Sequence, residues 1–165
     1  MQHKPLAIAL WITALAILVG LFTKSWFTPE RGDGGVGLTG VEVCRGDRCQ
    51  TASWSELKRA PKDIGVFGWI GLVGGLGAAG LAATIGGLVA AGNAARTRTP
   101  IKVMNVVLGV AAFATVMFTM RVLGEMSRDV SIGYSGFLAV GGIIAAGAIV
   151  TRGVMPLAAA AAPKA

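Results

Sequence analysis

The only two cysteines of this 165-residue chain lie in Val41-Glu42-Val43-Cys44-Arg45-Gly46-Asp47-Arg48-Cys49-Gln50-Thr51-Ala52. A cysteine pair can ligate metal, cycle electrons or close a structural disulfide. A metal site needs clustered His, Cys or carboxylate ligands. The single histidine, His3, stands near the beginning of the chain, far in sequence from both cysteines. No metal and no cofactor are therefore expected. The pattern instead predicts a β-hairpin. Gly46-Asp47 suits a two-residue turn, and Gly in the first central position suits type II′. Arg45 and Arg48 then face each other in a hydrogen-bonded pair. Cys44 and Cys49 fall one step out, on a non-hydrogen-bonded pair where Cα atoms come closest. A disulfide across so short a loop gives about 2 kcal/mol in the chain-entropy model. It would fix local register rather than hold the whole fold.

Redox catalysis is the competing chemistry. Small quinone-linked thiol oxidoreductases of the membrane also carry outward cysteines. They use a reactive pair, commonly Cys-x-x-Cys, and usually a second pair to relay electrons. This chain has one pair, with four residues between the cysteines. Such a hairpin favours a stable structural bond. Other catalytic signals are missing. No Asp or Glu falls inside an apolar run, so a carboxylate proton relay is absent. The Gly-rich runs lack the Lys-Ser/Thr of a phosphate-binding loop. Arg31-Gly32-Asp33 and Arg45-Gly46-Asp47 both spell an adhesion tripeptide, but turn chemistry explains each. We expect no enzyme and no small-molecule substrate.

The elements that position the cysteine hairpin are apolar. Hydrophobic residues make up 54% of the chain and charged residues 14%. Soluble domains carry about 25% charged residues, so the composition is that of an integral membrane protein. The net charge of +7 is spread along the chain rather than gathered on one soluble face, which argues against nucleic-acid binding. Pro5 to Phe22 is eighteen uncharged residues, long enough for a membrane helix at about 5–23. A signal peptide would have a shorter core followed by a small-residue cleavage site. Here Thr23-Lys24-Ser25-Trp26 follows instead. Trp26 and Phe27 sit where an interfacial aromatic belt belongs.

Residues 24–62 form a polar, β-rich loop. Pro29 and the Arg31–Gly35 run oppose helix, and Val36 to Ala52 alternates like short strands. Ser53-Trp54-Ser55-Glu56 has a capping-box pattern, which predicts a short interfacial helix over Trp54–Arg59. Three further spans are expected at about 64–91, 103–123 and 131–150. A basic loop, Asn93–Lys102, precedes the third, and a short loop, Gly124–Val130, precedes the fourth. Arg121 is expected to snorkel to the interface, with Glu125 one turn away. Arg152 should stop the fourth span, leaving 153–165 as a disordered cytoplasmic tail.

The second span, Ile64 to Ala91, would be about 42 Å long as a helix, more than the hydrocarbon core. Gly71, Gly75, Ala79, Ala83, Gly87 and Ala91 recur along it every four residues. Gly74, Ala78, Ala82, Gly86 and Ala90 form a second row beside them. Such faces let helix backbones approach closely in lipid. The face could pack within the chain, dock another subunit, or line a path. The third span offers Val107, Phe113, Met117 and Phe118 to fill one side, which would leave the other open to a second chain.

Charge sets the expected orientation. Lys4, Arg96, Arg98, Lys102, Arg152 and Lys164 lie on one side with no acidic residue. The other side carries nine basic and eight acidic residues. Seven basic residues fall in the first loop, a raw count that argues the other way, but they are balanced by acids and spread out. Both termini are therefore expected in the cytoplasm, with the cysteine loop in an oxidising periplasm or extracellular space.

Four spans, both termini inside and a stranded first outer loop with a cysteine pair resemble the claudin and peripheral-myelin-protein superfamily. Its signature in that loop is Trp, then Gly-Leu-Trp, then two cysteines. Trp26, Gly37, Leu38, Cys44 and Cys49 match; Thr39 stands at the second Trp. The motif match is confined to residues 26–49. The hairpin is shorter than usual, and the second span rather than the third is the long one. Members are adhesion, barrier-forming or auxiliary proteins, not enzymes. The Ala/Gly-rich spans and compact loops point to a bacterial inner-membrane relative.

The expected fold is thus an all-α, four-transmembrane-helix bundle, residues 1–152, with a small disulfide-closed β-hairpin ectodomain. The expected role is that of a structural, scaffold or auxiliary subunit in a multi-pass assembly. It would be a homo-oligomer or part of a larger complex in the lipid bilayer. A small channel or transporter component is the alternative, though no polar stripe marks a pore.

Overall fold

The computed structural model describes residues 3–29, 33–46, 48–58, 60–126 and 130–161. Arg31 and Gly32 of the first tripeptide and Asp47 of the second fall outside them. Among the described residues, four helices are long and apolar enough to cross a membrane. They comprise α1 (Lys4–Phe22), α2 (Lys62–Ala90), α3 (Arg98–Met126) and α4 (Tyr134–Ile149), the last continuing through a wide turn into α5 (Met155–Ala160). Among the described residues, five strands, β1 (Phe27–Pro29), β2 (Asp33–Gly37), β3 (Gly40–Arg45), β4 (Arg48–Ser53) and β5 (Val130–Ile132), form one antiparallel sheet in the order β4-β3-β2-β1-β5.

Helix packing is most extensive along the series α4-α1-α2-α3, so α2 lies between α1 and α3. Small residues set that spacing. Ala78 and Ala82 of α2, Ala111 and Ala114 of α3, and Ala139 and Ala146 of α4 are all fully buried. Large apolar side chains point outward on every helix. Ile12, Leu15, Val73, Val106, Phe113 and Ile144 are 62–68% exposed. A water-soluble bundle would reverse this arrangement, since its large side chains drive core formation.

Several boundaries differ from those expected. Asn93–Lys102 is not a loop. A single tight turn, Ala94–Thr97, leads directly into α3. Thr97 is buried and its hydroxyl donates to the Ala94 carbonyl at 2.6 Å. Pro100 falls in the first turn of α3, where its missing N–H removes no helix bond. Helices α2 and α3 are consequently equal, at 29 residues each, and the second span is not uniquely long.

The lead-in to the fourth span is a strand, β5, and α4 begins at Tyr134 rather than at Ser131. Nor does the helix stop at Arg152. Val150–Val154 forms a wide π-type turn that carries the chain into α5. Pro156 accounts for it: a proline donates no hydrogen bond to the carbonyl four residues earlier and crowds it, so the preceding turn opens. Val154 and Ala158 are buried, so residues 153–160 are ordered helix rather than a disordered tail. Residues 162–165 lie outside the described residues.

Trp54–Lys58 forms turns and no helix. Half of the capping box is made: the Ser53 N–H donates to Glu56 Oε2 at 2.8 Å. The Ser53 hydroxyl instead pairs with that of Ser55. With Pro61 close behind, the segment is too short to repay helix nucleation.

Candidate functional site

The expected motif residues fall in the β-sheet and its junction with the helices. The predicted hairpin register is present, with Cys44 opposite Cys49 and Arg45 opposite Arg48. The cysteines are bonded, with Cα atoms 4.0 Å apart. Gly46 has φ +58°, the left-handed conformation that a primed hairpin turn requires and glycine adopts without cost.

The sheet is larger than a hairpin. β2 pairs with β3 from Asp33↔Cys44 to Gly37↔Gly40. β1 joins through Phe27↔Val36. β5 closes the far edge, with Phe27↔Ile132, Thr28↔Ser131 and Pro29↔Val130. The Thr28 and Ser131 hydroxyls meet at 2.9 Å. The two inter-helix segments on this side of the bundle thus make a single sheet.

An aromatic cluster seats the sheet on the helices. Phe118 of α3 is fully buried at its centre. The rings of Trp26, Phe27 and Trp54 lie around it, with centroids at 6.1, 6.2 and 6.0 Å. Trp26 and Trp54 meet it edge to face, a favoured arrangement of ring quadrupoles. Each indole N–H is also satisfied. Trp26 Nε1 donates to the Gly20 carbonyl at 2.7 Å, tying the first strand to the end of α1. Trp54 Nε1 donates to the Leu38 carbonyl at 3.0 Å and the Gly37 carbonyl at 3.3 Å. Leu38 is buried against α2. A Cβ at Gly68 would collide with its carbonyl oxygen, so only glycine lets α2 approach the Leu38–Thr39 turn this closely.

Of the residues singled out by motif, Trp26, Gly37 and Leu38 therefore gather at the helix junction. Cys44 and Cys49 do not join them. Cys44 sits four residues further along β3 from Gly40, with Cys49 opposite it on β4, about 14 Å away at the usual strand rise. Trp54 reaches the Leu38–Thr39 turn from beyond the cysteines. The capping-box signal masked that role. Phe118 is expected from sequence only as bulk against α2, which it does approach at Gly68; its place at the centre of the aromatic cluster under the sheet has no signal in the sequence.

Comparison with protein-family models finds no match, and comparison with curated proteins finds none either.

The small-residue face of α2 divides in two. Gly71, Gly75 and Ala79 are buried. A Cβ at Gly75 would lie 2.8 Å from both methyl carbons of Leu21 on α1. Gly86 of the second row is likewise covered by Trp11 of α1, whose Nε1 donates to the Ala83 carbonyl at 3.2 Å. The side expected to stay open for another chain is thus occupied by α1 over most of its length. Phe113 does not fill the opposite side either. It is exposed, with its ring 6.4 Å from that of Phe67. In the last part of the first row Ala83 and Ala91 are exposed and Gly87 is half-buried, and nothing lies within 4 Å of a Cβ built on Gly87.

Electrostatics are sparse. Among the described residues there are two ion pairs, Lys24–Glu42 at 3.6 Å and Arg121–Asp63 at 3.0 Å. Arg121 thus pairs with the first turn of α2 rather than with Glu125. Both partners are partly exposed, so the bond contributes at most about 1 kcal/mol. No cluster of three His, Cys, Asp or Glu side chains occurs among the described residues.

The disulfide's position predicts a local effect. Replacing both cysteines with Ser should lower stability by about 2 kcal/mol or less and leave the helical circular dichroism unchanged. Alkylation of protein from untreated membranes should label neither cysteine. Global unfolding of the double variant, or a pair that alkylates readily, would contradict a structural tip bond.

Proposed function

We propose that the chain is a multi-pass membrane protein of claudin-like type. It serves as a non-enzymatic structural or auxiliary subunit of a membrane assembly, as a homo-oligomer or with a larger partner. The observation that carries this role is the sheet seated on the bundle by an aromatic cluster. Its aromatic anchor orders a platform at one end of four apolar helices, and β4 forms an open edge of that platform. A platform with an unpaired edge presents main-chain groups to a partner. Ala83, Gly87 and Ala91 offer a second contact, within the membrane.

The termini lie in the cytoplasm and the sheet on the periplasmic or extracellular side. This orientation rests on the purely basic segment Arg96–Lys102 and the oxidised cysteine pair. The cell membrane in question is a bacterial inner membrane. Accessibility tags at both termini should react only after the membrane is broken, while a tag in the Gly46 turn should react in intact spheroplasts. Labelling of either terminus from outside would reverse the orientation. Purification in mild detergent should yield a species larger than one chain, or a co-purifying partner. A lone monomer with no partner would remove the subunit role.

A further inference from the structure

Two adjoining hollows lie on the outward side of α2, one with polar and charged lining and one with apolar lining. The first, of 620 Å³, opens between the Ser53–Lys58 turns and the beginning of α2. Ser53, Ser55, Lys58 and Lys62 bring two hydroxyls and two ammonium groups to it, and Trp69 and Ile70 are among its apolar lining. The second, of 550 Å³, runs between α2 and α3 and is lined only by apolar residues. Trp69 and Ile70 line both, so the two adjoin. The second hollow exists because Gly74 and Gly77 lack side chains on that face of α2. Val106 and Val110 of α3 form its far wall.

Lys58 and Lys62 are the charged residues among those that line the first hollow. Of the carboxylates nearby, Glu56 accepts from the Ser53 N–H, Asp63 pairs with Arg121, and Glu125 lines an adjoining hollow with Lys58. None of the three lines the first hollow itself. Lys58 and Lys62 form no ion pair among the described residues. No side chain caps the first turn of α2, and the acid in that turn, Asp63, is paired with Arg121.

We propose that this is a binding site for one anionic phospholipid of the surrounding bilayer. The phosphate sits between Lys58 and Lys62, the serine hydroxyls meet the headgroup, and an acyl chain lies along the α2–α3 groove past Trp69. Charge complementarity selects an anionic lipid over a zwitterionic one. The proposal rests on the membrane assignment above and deepens it.

The test uses the full chain in mild detergent and in nanodiscs of phosphatidylcholine, with and without phosphatidylglycerol. Native mass spectrometry should show one retained phosphatidylglycerol, and phosphatidylglycerol should raise the melting temperature above that in phosphatidylcholine alone. Lys58→Gln with Lys62→Gln should weaken retention roughly thirtyfold, at about the value expected of two lysines beside an anionic lipid. Gly77→Leu should also weaken it by filling the groove while leaving both cations. A wild type that prefers neither lipid overturns the proposal without recourse to any variant. So does a folded double variant that keeps the lipid. Release of the protein from membranes by alkaline carbonate without detergent would instead overturn the membrane assignment itself.

Discussion

Phe118→Ala should destabilise the protein by about 3–5 kcal/mol, the range for removing a buried aromatic ring. The side chain is fully buried and touches three other rings. Those rings come from β1 and its lead-in and from the turn after β4, so one cavity would loosen two separate supports of the sheet. Edge-to-face pairing adds about 0.5–1.5 kcal/mol per pair beyond area burial. Phe113→Ala is the matched control on the same helix, five residues away and 62% exposed. It should cost less than about 1 kcal/mol. Thermal unfolding in detergent, followed by tryptophan fluorescence, measures both. Trp26 and Trp54 should also shift to longer emission wavelength in the Phe118 variant before the helices melt. Equal losses from the two variants would mean that the aromatic cluster does not seat the sheet.

Gly75→Leu and Gly87→Leu should separate packing from assembly. They lie on the same row of α2, three turns apart, but meet different surroundings. At Gly75 even a Cβ crowds Leu21 at 2.8 Å. A leucine there must push α1 and α2 apart, at more than the 1–3 kcal/mol typical of adding a methylene to a packed core. Loss of folded protein, or a melting temperature many degrees lower, is the expected result. At Gly87 nothing stands within 4 Å, and stability should change by no more than about 0.5 kcal/mol. If Ala83, Gly87 and Ala91 contact another subunit, the same leucine blocks close backbone approach. Native size in nanodiscs should then fall while the melting temperature of the protomer holds. A stable Gly75→Leu protein would contradict the α1–α2 seat. A Gly87→Leu protein of unchanged oligomeric size would place the subunit contact elsewhere.

These two positions show where the sequence stops being informative. Gly75 and Gly87 belong to one regular row with a period of four. Periodicity reports that they share a face, not what covers it. Helices that are apolar all round give no amphipathic signal to point a face inward. The sequence by itself determined the four apolar stretches, because length and hydropathy are local properties that the hydrocarbon thickness selects. It also determined the cysteine hairpin, because turn chemistry and the two-residue side-chain period fix register over a few residues.

Only the tertiary structure decided the rest. β5 pairs with β1 across 103 residues, from Thr28 to Ser131. Three residues, Val130–Ile132, are too few to announce a strand. Trp54 serves the Leu38 turn rather than a helix, because its indole N–H finds two carbonyls there and a helix of six residues is not worth its nucleation cost. Arg121 takes Asp63 over the neighbouring Glu125 because the start of α2 and the end of α3 lie side by side. Each of these depends on which segments meet, and that is settled by close packing of small residues along the whole bundle, a sum that no single window of sequence contains.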